Sequence, residues 1–303
     1  MWFVCALLTA LGWGIADIFY KKGADRKVNY THLRTCLCVG IAMGIHALVV
    51  LATQNIGYNA INIIYYLPVS LCYILSMVLT FYGLRVIEDS IASPVENSSG
   101  AVTSILCFVI LGQTMSRLAL IGVILVTIGV LSLGIFEAIG DKEKLKEISK
   151  KSSIIGFIMV TSYSVFNAIG GFLDATFLDP ERTPLKYVNS NNIELVANTS
   201  YELTFLIFAL FIFIFLKLKK ENISIKQEKP RIGAAIFETF GQLMYVYAMS
   251  GNAIIAAPIV SSVCVISIIL ARIFLKEKLK LKQYGAVFSV VVGIFVLAFA
   301  EVL

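Results

Sequence analysis

The residues IASPVENSSGAVTSILCFVIL at positions 91–111 decide the fold, because a related stretch, IAAPIVSSVCVISIILARIFL, stands at positions 255–275. The two copies align without a gap at an offset of 164 residues, and eight positions are identical in a window of thirty-five residues around them. Apolar helices resemble one another by composition, so the ungapped register and the matched Pro94 and Pro258 carry the argument. A repeat of this kind fixes the architecture of a chain.

The composition is that of a membrane protein. Of the 303 residues 58% are hydrophobic and 15% are charged, and the mean hydropathy is +0.87. A spanning helix needs about 20 mainly apolar residues. Ten such stretches, called spans 1 to 10 below, are residues 2–20, 33–52, 61–83, 92–111, 117–136, 154–174, 196–216, 232–250, 252–274 and 284–302. We therefore predict an all-α membrane protein with ten transmembrane helices.

Basic residues are concentrated in alternate connections. The connections after spans 1, 3, 5, 7 and 9, together with Arg34 and Arg272 at the adjoining span ends, account for 22 of the 25 lysines and arginines. Cytoplasmic loops are the basic ones, which predicts that both termini face outside. Each half has five spans, an odd number, so the halves run in opposite directions, as in the inverted repeats of many secondary transporters. The predicted parts are a first five-helix repeat (1–136), a charged linker (137–153) and a second five-helix repeat (154–303).

Charge and cysteine usage exclude several classes of protein. The net charge of +6 does not indicate a nucleic-acid partner, because the basic residues lie in short loops between spans. The six cysteines are scattered without a metal-ligand spacing, and we interpret them as packing residues. The sequence has no HExxH motif. We predict no metal, no cofactor and no enzymatic activity.

Small residues and prolines predict how the spans pack. Gly285, Ser289 and Gly293 recur every fourth residue in span 10 and predict a close helix contact. Pro68 lies within span 3 and predicts a kink or a local gap. The matched prolines of the repeat lie near the starts of spans 4 and 9, where proline costs least.

Two further motifs resemble the drug/metabolite transporter superfamily in its ten-helix, EamA-type form. LGWG at 11–14 looks like the tryptophan–glycine motif of that family's first helix. LKEKL at 275–279, followed by Gly285, looks like its LGExL…G signature, and the first half reads LGQTM at 111–115 and then Gly122. The resemblance covers nearly the whole chain. It implies two inverted five-helix repeats around a central cavity that move small metabolites by alternating access.

The chain departs from this family pattern at several places. Gln113 replaces the signature glutamate in the first half, and Lys276 replaces the glycine in the second. The connection between spans 2 and 3 is uncharged, whereas members commonly have a basic one and cytoplasmic termini. The family's substrates range over amino acids, amines, sugars and nucleotide sugars. The resemblance therefore implies a multi-pass protein of a bacterial or archaeal cell membrane without fixing its cargo.

Carboxyl groups stand out inside the spans. A charged residue in hydrocarbon costs at least about 2.5–3.5 kcal/mol, so each needs a reason. No lysine or arginine lies comparably far from the ends of a predicted span. Carboxyl groups with aromatic but without basic neighbours suit a cationic or amine-bearing solute, or the exchange of protons at a buried acid. The five are Asp17, Glu96, Asp174, Glu202 and Glu238.

Spans 7 and 8 hold the two acids that we rank first. Glu238, Gln242 and Tyr245 fall on one face of span 8, and Glu202 lies one turn after Asn198 in span 7. We predict that both glutamates bind a cation or a proton in a cavity. The alternative interpretation is that they are protonated or hydrogen-bonded packing groups.

Spans 1 and 4 hold two further candidates. Asp17 follows Trp13 of the LGWG motif by one turn, although a pair between Asp17 and Lys21 is an alternative. Glu96 opens a polar stripe with Ser99, although a carboxyl group in a first turn also complements the helix dipole. In the aligned halves Glu96 faces Val260 and Glu238 faces Ile74, which predicts that the binding chemistry is not symmetric.

Span 6 carries a polar stripe. Tyr163, Asn167, Gly170 and Asp174 share one face, and we predict that Tyr163 and Asn167 line the cavity. Asp174 is expected at the membrane interface near Asp179.

Two further polar features remain open. Tyr73, Ser76 and Thr80 share a face of span 3, which predicts either a cavity wall or interhelical hydrogen bonds. A lone histidine among apolar residues, such as His46, is usually a satisfied polar group rather than a proton relay.

The sequence therefore predicts a secondary transporter for a small amine-containing or zwitterionic metabolite, of the amino acid or amine class, with coupling to protons. Alternatives are an uncoupled facilitator or lipid scramblase, a membrane-embedded enzyme and a non-transporting subunit. The expected partners are a small-molecule solute, protons, the lipid bilayer and a second copy of the chain. The predicted binding residues are Trp13, Asp17, Glu96, Tyr163, Asn167, Glu202, Glu238, Gln242 and Tyr245.

Overall fold

A computed structural model describes residues 1–23, 28–83, 97–140, 150–274 and 281–302, and no strand occurs among them. Span 3 comprises the short α3 and α4, and span 9 comprises the end of α9 and α10. The ten predicted spans are therefore present. The helices are α1 Trp2–Gly23, α2 Thr31–Thr53, α3 Asn62–Tyr65, α4 Leu67–Gly83, α5 Ser99–Leu111, α6 Arg117–Gly140, α7 Lys150–Phe177, α8 Ile193–Leu218, α9 Ile225–Ser261, α10 Val263–Phe274 and α11 Leu281–Val302.

Spans 8 and 9 follow each other without a loop. Among the described residues six stretches are long and apolar enough to cross a membrane, and one of them, Ile225–Leu270, has 46 residues and holds both spans. The chain leaves the helical conformation at Asn252, where φ is −164° and ψ is 78°, and span 8 ends there. Pro258 lies in the second turn after this break, near the start of span 9 as predicted.

The helix boundaries reproduce the internal repeat. α5 begins at Ser99, directly after Ser98, and α10 begins at Val263, directly after Ser262. These starts are 164 residues apart, which is the offset found in the sequence. Pro94, the mate of Pro258, lies outside the described residues.

The contacts between spans form a set that stays the same when the two halves of the chain are exchanged. Span 1 packs on spans 8 and 9, and span 6 packs on spans 3 and 4. Span 2 packs on span 7, span 4 on span 9 and span 5 on span 10. Exchanging each span with the one five places along converts every one of these contacts into another of the same set. The two-repeat arrangement therefore follows from the packing as well as from the sequence.

The predicted linker at 137–153 is entered by helix from both sides, since α6 continues to Gly140 and α7 begins at Lys150. The boundaries of the two repeats stay a prediction.

The small-residue face predicted on span 10 is partly correct. A Cβ at Gly293 would lie 3.0 Å from the carbonyl oxygen of Gly122 in span 5, and the Ser289 hydroxyl donates to the Leu125 carbonyl at 3.0 Å. The prediction was wrong for Gly285, because a Cβ there would meet nothing within 4 Å. Close contact with span 5 begins at the next residue, Ala286, whose carbonyl oxygen would lie 2.9 Å from a Cβ at Gly129.

Two buried arginines join the halves at the side of the molecule that carries the connections after odd-numbered spans, here called the basic face. Arg34 in α2 and Arg231 in α9 are each 2% exposed. Both donate to Glu228, at 2.8 and 2.6 Å, and Arg34 also donates to Glu221 at 2.9 Å. Arg231 donates to the Gly23 carbonyl at 2.5 Å. The loop charges grouped both arginines with the basic connections, whereas the structure buries them in a network that ties together spans 1, 2, 7 and 8.

Candidate functional site

Asp174 of α7 is the centre of a buried polar cluster and is itself 1% exposed. The hydroxyl groups of Tyr66 and Tyr73 donate to its two carboxyl oxygens, that of Tyr73 at 2.9 Å. The Tyr245 hydroxyl lies 2.8 Å from that of Tyr73. A phenol has a single hydrogen, so Tyr245 donates to Tyr73 when Tyr73 donates to Asp174. The cluster therefore offers hydrogen bonds that suit an ionised carboxylate.

Local sequence explains how the tyrosines reach this carboxyl group. Span 3 is broken at Tyr66, between α3 and α4, directly before the residue preceding Pro68, as the proline predicted. On span 6 two adjacent glycines make room, since a Cβ at Gly170 would lie 3.0 Å from the Tyr73 ring. A Cβ at Gly171 would lie 3.2 Å from the Tyr245 hydroxyl.

Aromatic rings extend the cluster in two directions. The Tyr201 ring lies 5.7 Å from that of Tyr73, and Phe205 continues at 4.6 Å from Tyr201. On the other side the Trp13 ring lies 5.2 Å from that of Tyr245. Rings at these separations make favourable contacts and present the π-faces that attract a cation.

A second cluster surrounds Glu238 in span 8. Tyr20 donates to its Oε2 at 3.2 Å, and the Trp13 indole donates to its main-chain carbonyl at 3.3 Å. Asp17 lies within electrostatic range of Glu238 and accepts a hydrogen bond from the Ser267 hydroxyl at 2.6 Å. Trp13 thus links the cluster around Glu238 to the one around Asp174.

The LGWG motif is explained by close packing of span 1 against spans 8 and 9. A Cβ at Gly12 would lie 3.1 Å from the Cα of Gly241, and a Cβ at Gly14 would lie 2.6 Å from the side chain of Ile266. A Cβ at Gly241 would overlap the Trp13 ring. Glycine is needed at all three positions for Trp13 to lie in this contact.

Asp17 and Asp174 lie at related places in the two halves. Asp17 and Asp174 each follow, by three residues, a glycine packed on equivalent positions, which are Ser267 in span 9 and Thr103 in span 4. Those positions are 164 residues apart. The alignment covered other helices, so it did not show this correspondence. Spans 1 and 6 run in opposite directions, and the two aspartates therefore lie toward opposite faces of the membrane.

Three other predicted residues lie beside the clusters. Gln242, one turn after Glu238, is 2% exposed, and its amide nitrogen has no acceptor in the described part of the chain. The Asn167 amide donates to the Ser99 hydroxyl at 2.9 Å, in the contact between spans 6 and 4. Tyr163 is half-buried on the same span and lies within electrostatic range of Tyr245.

The remaining predicted residues lie elsewhere. Glu202 is in contact with His46, between spans 2 and 7, and not with Asp174. Glu96 lies outside the described residues, as does the Lys21 side chain proposed as a partner for Asp17.

Sequence reasoning missed several members of the site. It placed Asp174 at the interface and did not select Tyr20, Tyr66 or Tyr201. A usable signal was present in span 3, because Tyr66 and Tyr73 are seven residues apart and so share a helix face. The sequence did not show that this face contacts Asp174 of span 6.

A cavity of about 450 Å³ lies among the connections after even-numbered spans. It lies at the side opposite the basic face, here called the terminal face because both chain ends are there. Its lining includes Ala175 and Leu178, next to Asp174 and one turn beyond it, and Met249, one turn after Tyr245. The structure thus combines a cavity at the terminal face with buried ion pairs at the basic face.

These features define a multi-pass integral membrane protein whose polar residues converge at the centre of a helix bundle. The chain belongs to the EamA-like transporter family, whose sequence profile matches residues 1–135 and 185–299. It is therefore a membrane transporter of the drug/metabolite transporter superfamily. The match leaves out residues 136–184, which hold α7 and Asp174.

Comparison of folds agrees with this assignment. A solved structure titled only "Crystal structure of protein" is similar with a TM-score of 0.69 and 12% sequence identity, over 98% of this chain and 96% of its own. At this identity the likeness shows the fold alone. No curated protein matches the sequence.

Proposed function

We propose that the protein moves a small amine-containing or zwitterionic metabolite across the membrane by alternating access, coupled to protons. The observation that carries the proposal is the pairing of buried carboxyl groups with tyrosines rather than with cations. Asp174 and Glu238 receive their hydrogen bonds from phenols, which are neutral. A negative charge held in this way is left for a cationic ligand to compensate, and aromatic rings beside it add cation–π attraction.

The buried arginines do not alter this argument. Arg34 and Arg231 lie at the basic face, and each donates to Glu228. A strongly anionic solute would need a free guanidinium or ammonium group near the centre, and these two groups are already paired.

Gln242 supports the zwitterionic form of the solute. Its buried amide nitrogen has no acceptor in the described residues, although it lies one turn from Glu238 and nearly one turn from Tyr245. A buried donor without a partner is costly. A solute carboxylate would satisfy this donor while its ammonium group approaches the carboxyl groups.

The asymmetry of the two faces supports alternating access. The terminal face has a cavity whose lining includes Ala175, the neighbour of Asp174 in sequence, while the basic face is joined by buried ion pairs between the repeats. Opening the basic face requires Arg34 to separate from the second-half residues Glu221 and Glu228. By the loop charges we assign the basic face to the cytoplasm.

The proposal is tested with purified protein in proteoliposomes and radiolabelled glycine, lysine, putrescine and choline, with succinate as an anionic control. We expect exchange of at least one of the four amines and none of succinate. Asp174→Asn and Glu238→Gln should slow that exchange at least about tenfold, which corresponds to about 1.4 kcal/mol. The exposed Glu181→Gln is the matched control and should leave the rate unchanged.

Exchange of succinate alone, or full exchange in Asp174→Asn and Glu238→Gln, would refute the assignment of solute class. Accumulation of an amine that does not respond to a pH gradient would refute proton coupling and leave a facilitator.

A further inference from the structure

His46 and Glu202 form a polar pair away from the carboxyl clusters that we assign to the solute. The Nδ1 atom of His46 in α2 lies 2.8 Å from each carboxyl oxygen of Glu202 in α8. Glu202 is fully buried, whereas the His46 side chain is 30% exposed. Spans 2 and 7 belong to different repeats, so this contact joins the two halves.

Among the described residues, the groups that interact with the Glu202 carboxyl group carry no fixed positive charge. In the described part of the chain the groups that interact with the Glu202 carboxyl group are His46 and the Asn198 amide, and neither lysine nor arginine is among them. From the α2–α3 connection, Tyr58 faces Ser200 rather than Glu202, with 3.1 Å between the hydroxyl oxygens. The charge of the pair is therefore set by its own proton.

Tyr201 separates the pair from the site assigned to the solute. It adjoins Glu202 in sequence, and its ring contacts Tyr73 of α4. Glu238 and Tyr245 of α9 interact electrostatically with Tyr201. The pair is thus close to the Asp174 cluster without sharing its hydrogen bonds.

Asn198 gives the pair a means to accommodate either protonation state. It is 1% exposed, it hydrogen-bonds to Glu202 one turn later, and its Oδ1 atom has no partner in the described residues. An amide donates through nitrogen and accepts through oxygen. The amide nitrogen donates a hydrogen bond to a carboxylate, and after rotation of the amide the free oxygen would accept one from a carboxylic acid.

Loss of one proton changes the energy of the contact between the repeats. With that proton the pair is neutral overall, either as imidazolium with carboxylate or as imidazole with carboxylic acid. Without it one buried carboxylate remains with no positive partner, which costs about 3–5 kcal/mol in a closed environment. Separation of spans 2 and 7, with entry of water, relieves this cost. Arg34 and Glu228 cannot respond in this way, because a guanidinium does not lose its proton.

We infer that His46 and Glu202 form a proton-exchange site separate from the carboxyl groups that bind the solute. The site takes up one proton when the two spans are in contact and releases it when they part. The inference rests on the proposed transport function and names the place where its coupling proton binds.

The first experiment examines the pair without any solute. The chain has two histidines, His32 and His46, so nitrogen-15 histidine spectra in nanodiscs contain two imidazole groups. Loss of a signal in His46→Gln assigns it. In Glu202→Gln we expect the midpoint of the His46 titration to move by about one pH unit or more, while that of His32 stays in place. An unchanged His46 titration would overturn the inference.

The second experiment measures steady-state accumulation of whichever of the four amines the wild-type protein exchanges, in proteoliposomes with the voltage clamped by potassium and valinomycin. A one-unit pH gradient coupled to one proton per solute gives about tenfold accumulation. Glu202→Gln and His46→Gln should lower this ratio to about one, and the control His32→Gln should retain it. The ratio is an equilibrium quantity, so a slow variant still reports on coupling.

The outcomes separate the two proposals. Tenfold accumulation in His46→Gln and Glu202→Gln would overturn the proton site and leave the transport function standing. Absence of exchange of all four amines by the wild-type protein would overturn the transport function, whereas the His46 titration would still decide whether the pair exchanges a proton. If Glu202→Gln fails to fold, the accumulation ratio of His46→Gln decides the matter.

Discussion

Removing the Ser104 hydroxyl should destabilise the contact between spans 4 and 9 for a specific reason. Proline has no N–H group, so Pro258 leaves the carbonyl group of Ile254, four residues earlier, without its helical donor. The Ser104 hydroxyl donates to that carbonyl at 2.7 Å, and both residues are buried. Ser104 thus supplies from span 4 the hydrogen bond that span 9 cannot make for itself.

The magnitude follows from the cost of an unpaired buried carbonyl group. A buried acceptor left without a donor costs about 1–3 kcal/mol. Hydrogen bonds between membrane helices average about 0.6 and reach about 1.7 kcal/mol. We expect Ser104→Ala to lower the free energy of unfolding by about 1–2 kcal/mol.

A double-mutant cycle isolates this hydrogen bond. In Pro258→Ala the new main-chain N–H at position 258 donates to Ile254, so adding Ser104→Ala should cost about 0.5 kcal/mol or less. The assay is reversible unfolding in detergent micelles titrated with dodecyl sulfate, followed by circular dichroism and tryptophan fluorescence. Ser76→Ala is the matched control, because the Ser76 hydroxyl bonds to the Tyr73 carbonyl within its own helix. An equal cost of Ser104→Ala with and without Pro258 would refute the reasoning.

Three further outcomes are expected. Gly100→Ala should lower the melting temperature in detergent, because a Cβ there would overlap a main-chain oxygen of span 9 and prevent close packing of spans 4 and 9. Gly285→Ala is the control, since its Cβ meets open space, and an equal melting temperature for the two variants would contradict the reasoning. Arg34→Met should destabilise by about 3 kcal/mol, because it leaves the Glu221 carboxylate without its arginine and the Glu228 carboxylate with Arg231 alone; a loss under about 1 kcal/mol in the same unfolding assay would contradict this. In a cysteine-free background, an impermeant maleimide added to intact cells should label Tyr187→Cys and not Leu218→Cys, both at strongly exposed positions; labelling of Leu218→Cys would contradict the assignment of the basic face to the cytoplasm.

The spans and the repeat were predictable because both depend on local sequence. A spanning helix is recognised by a run of apolar residues, and ten such runs predicted helices that the structure contains. The repeat offset predicted equivalent helix starts, which the structure shows at Ser99 and Val263. Pro68 predicted a break, because a missing N–H disturbs a helix wherever it occurs.

The composition of the candidate site was only partly predictable. Glu238 and Tyr245 were selected from one face of span 8 and Trp13 from the LGWG motif, and the structure brings the three together. Asp174 was placed at the interface, because its distance along span 6 suggested a helix end. The tyrosines that surround it come from other spans, and no pattern within span 6 indicates them.

Sequence by itself determined that this protein is a ten-span membrane protein made of two related halves, since apolar length, loop charge and internal similarity are properties of neighbouring residues. Only the tertiary structure decided which acid meets which partner. Asp174 meets Tyr66, 108 positions away, and Glu202 meets His46, 156 positions away. Such contacts depend on how each helix is rotated and tilted against the others. That orientation is set by close packing at glycines and by hydrogen bonds between helices, which a single helix pattern does not record.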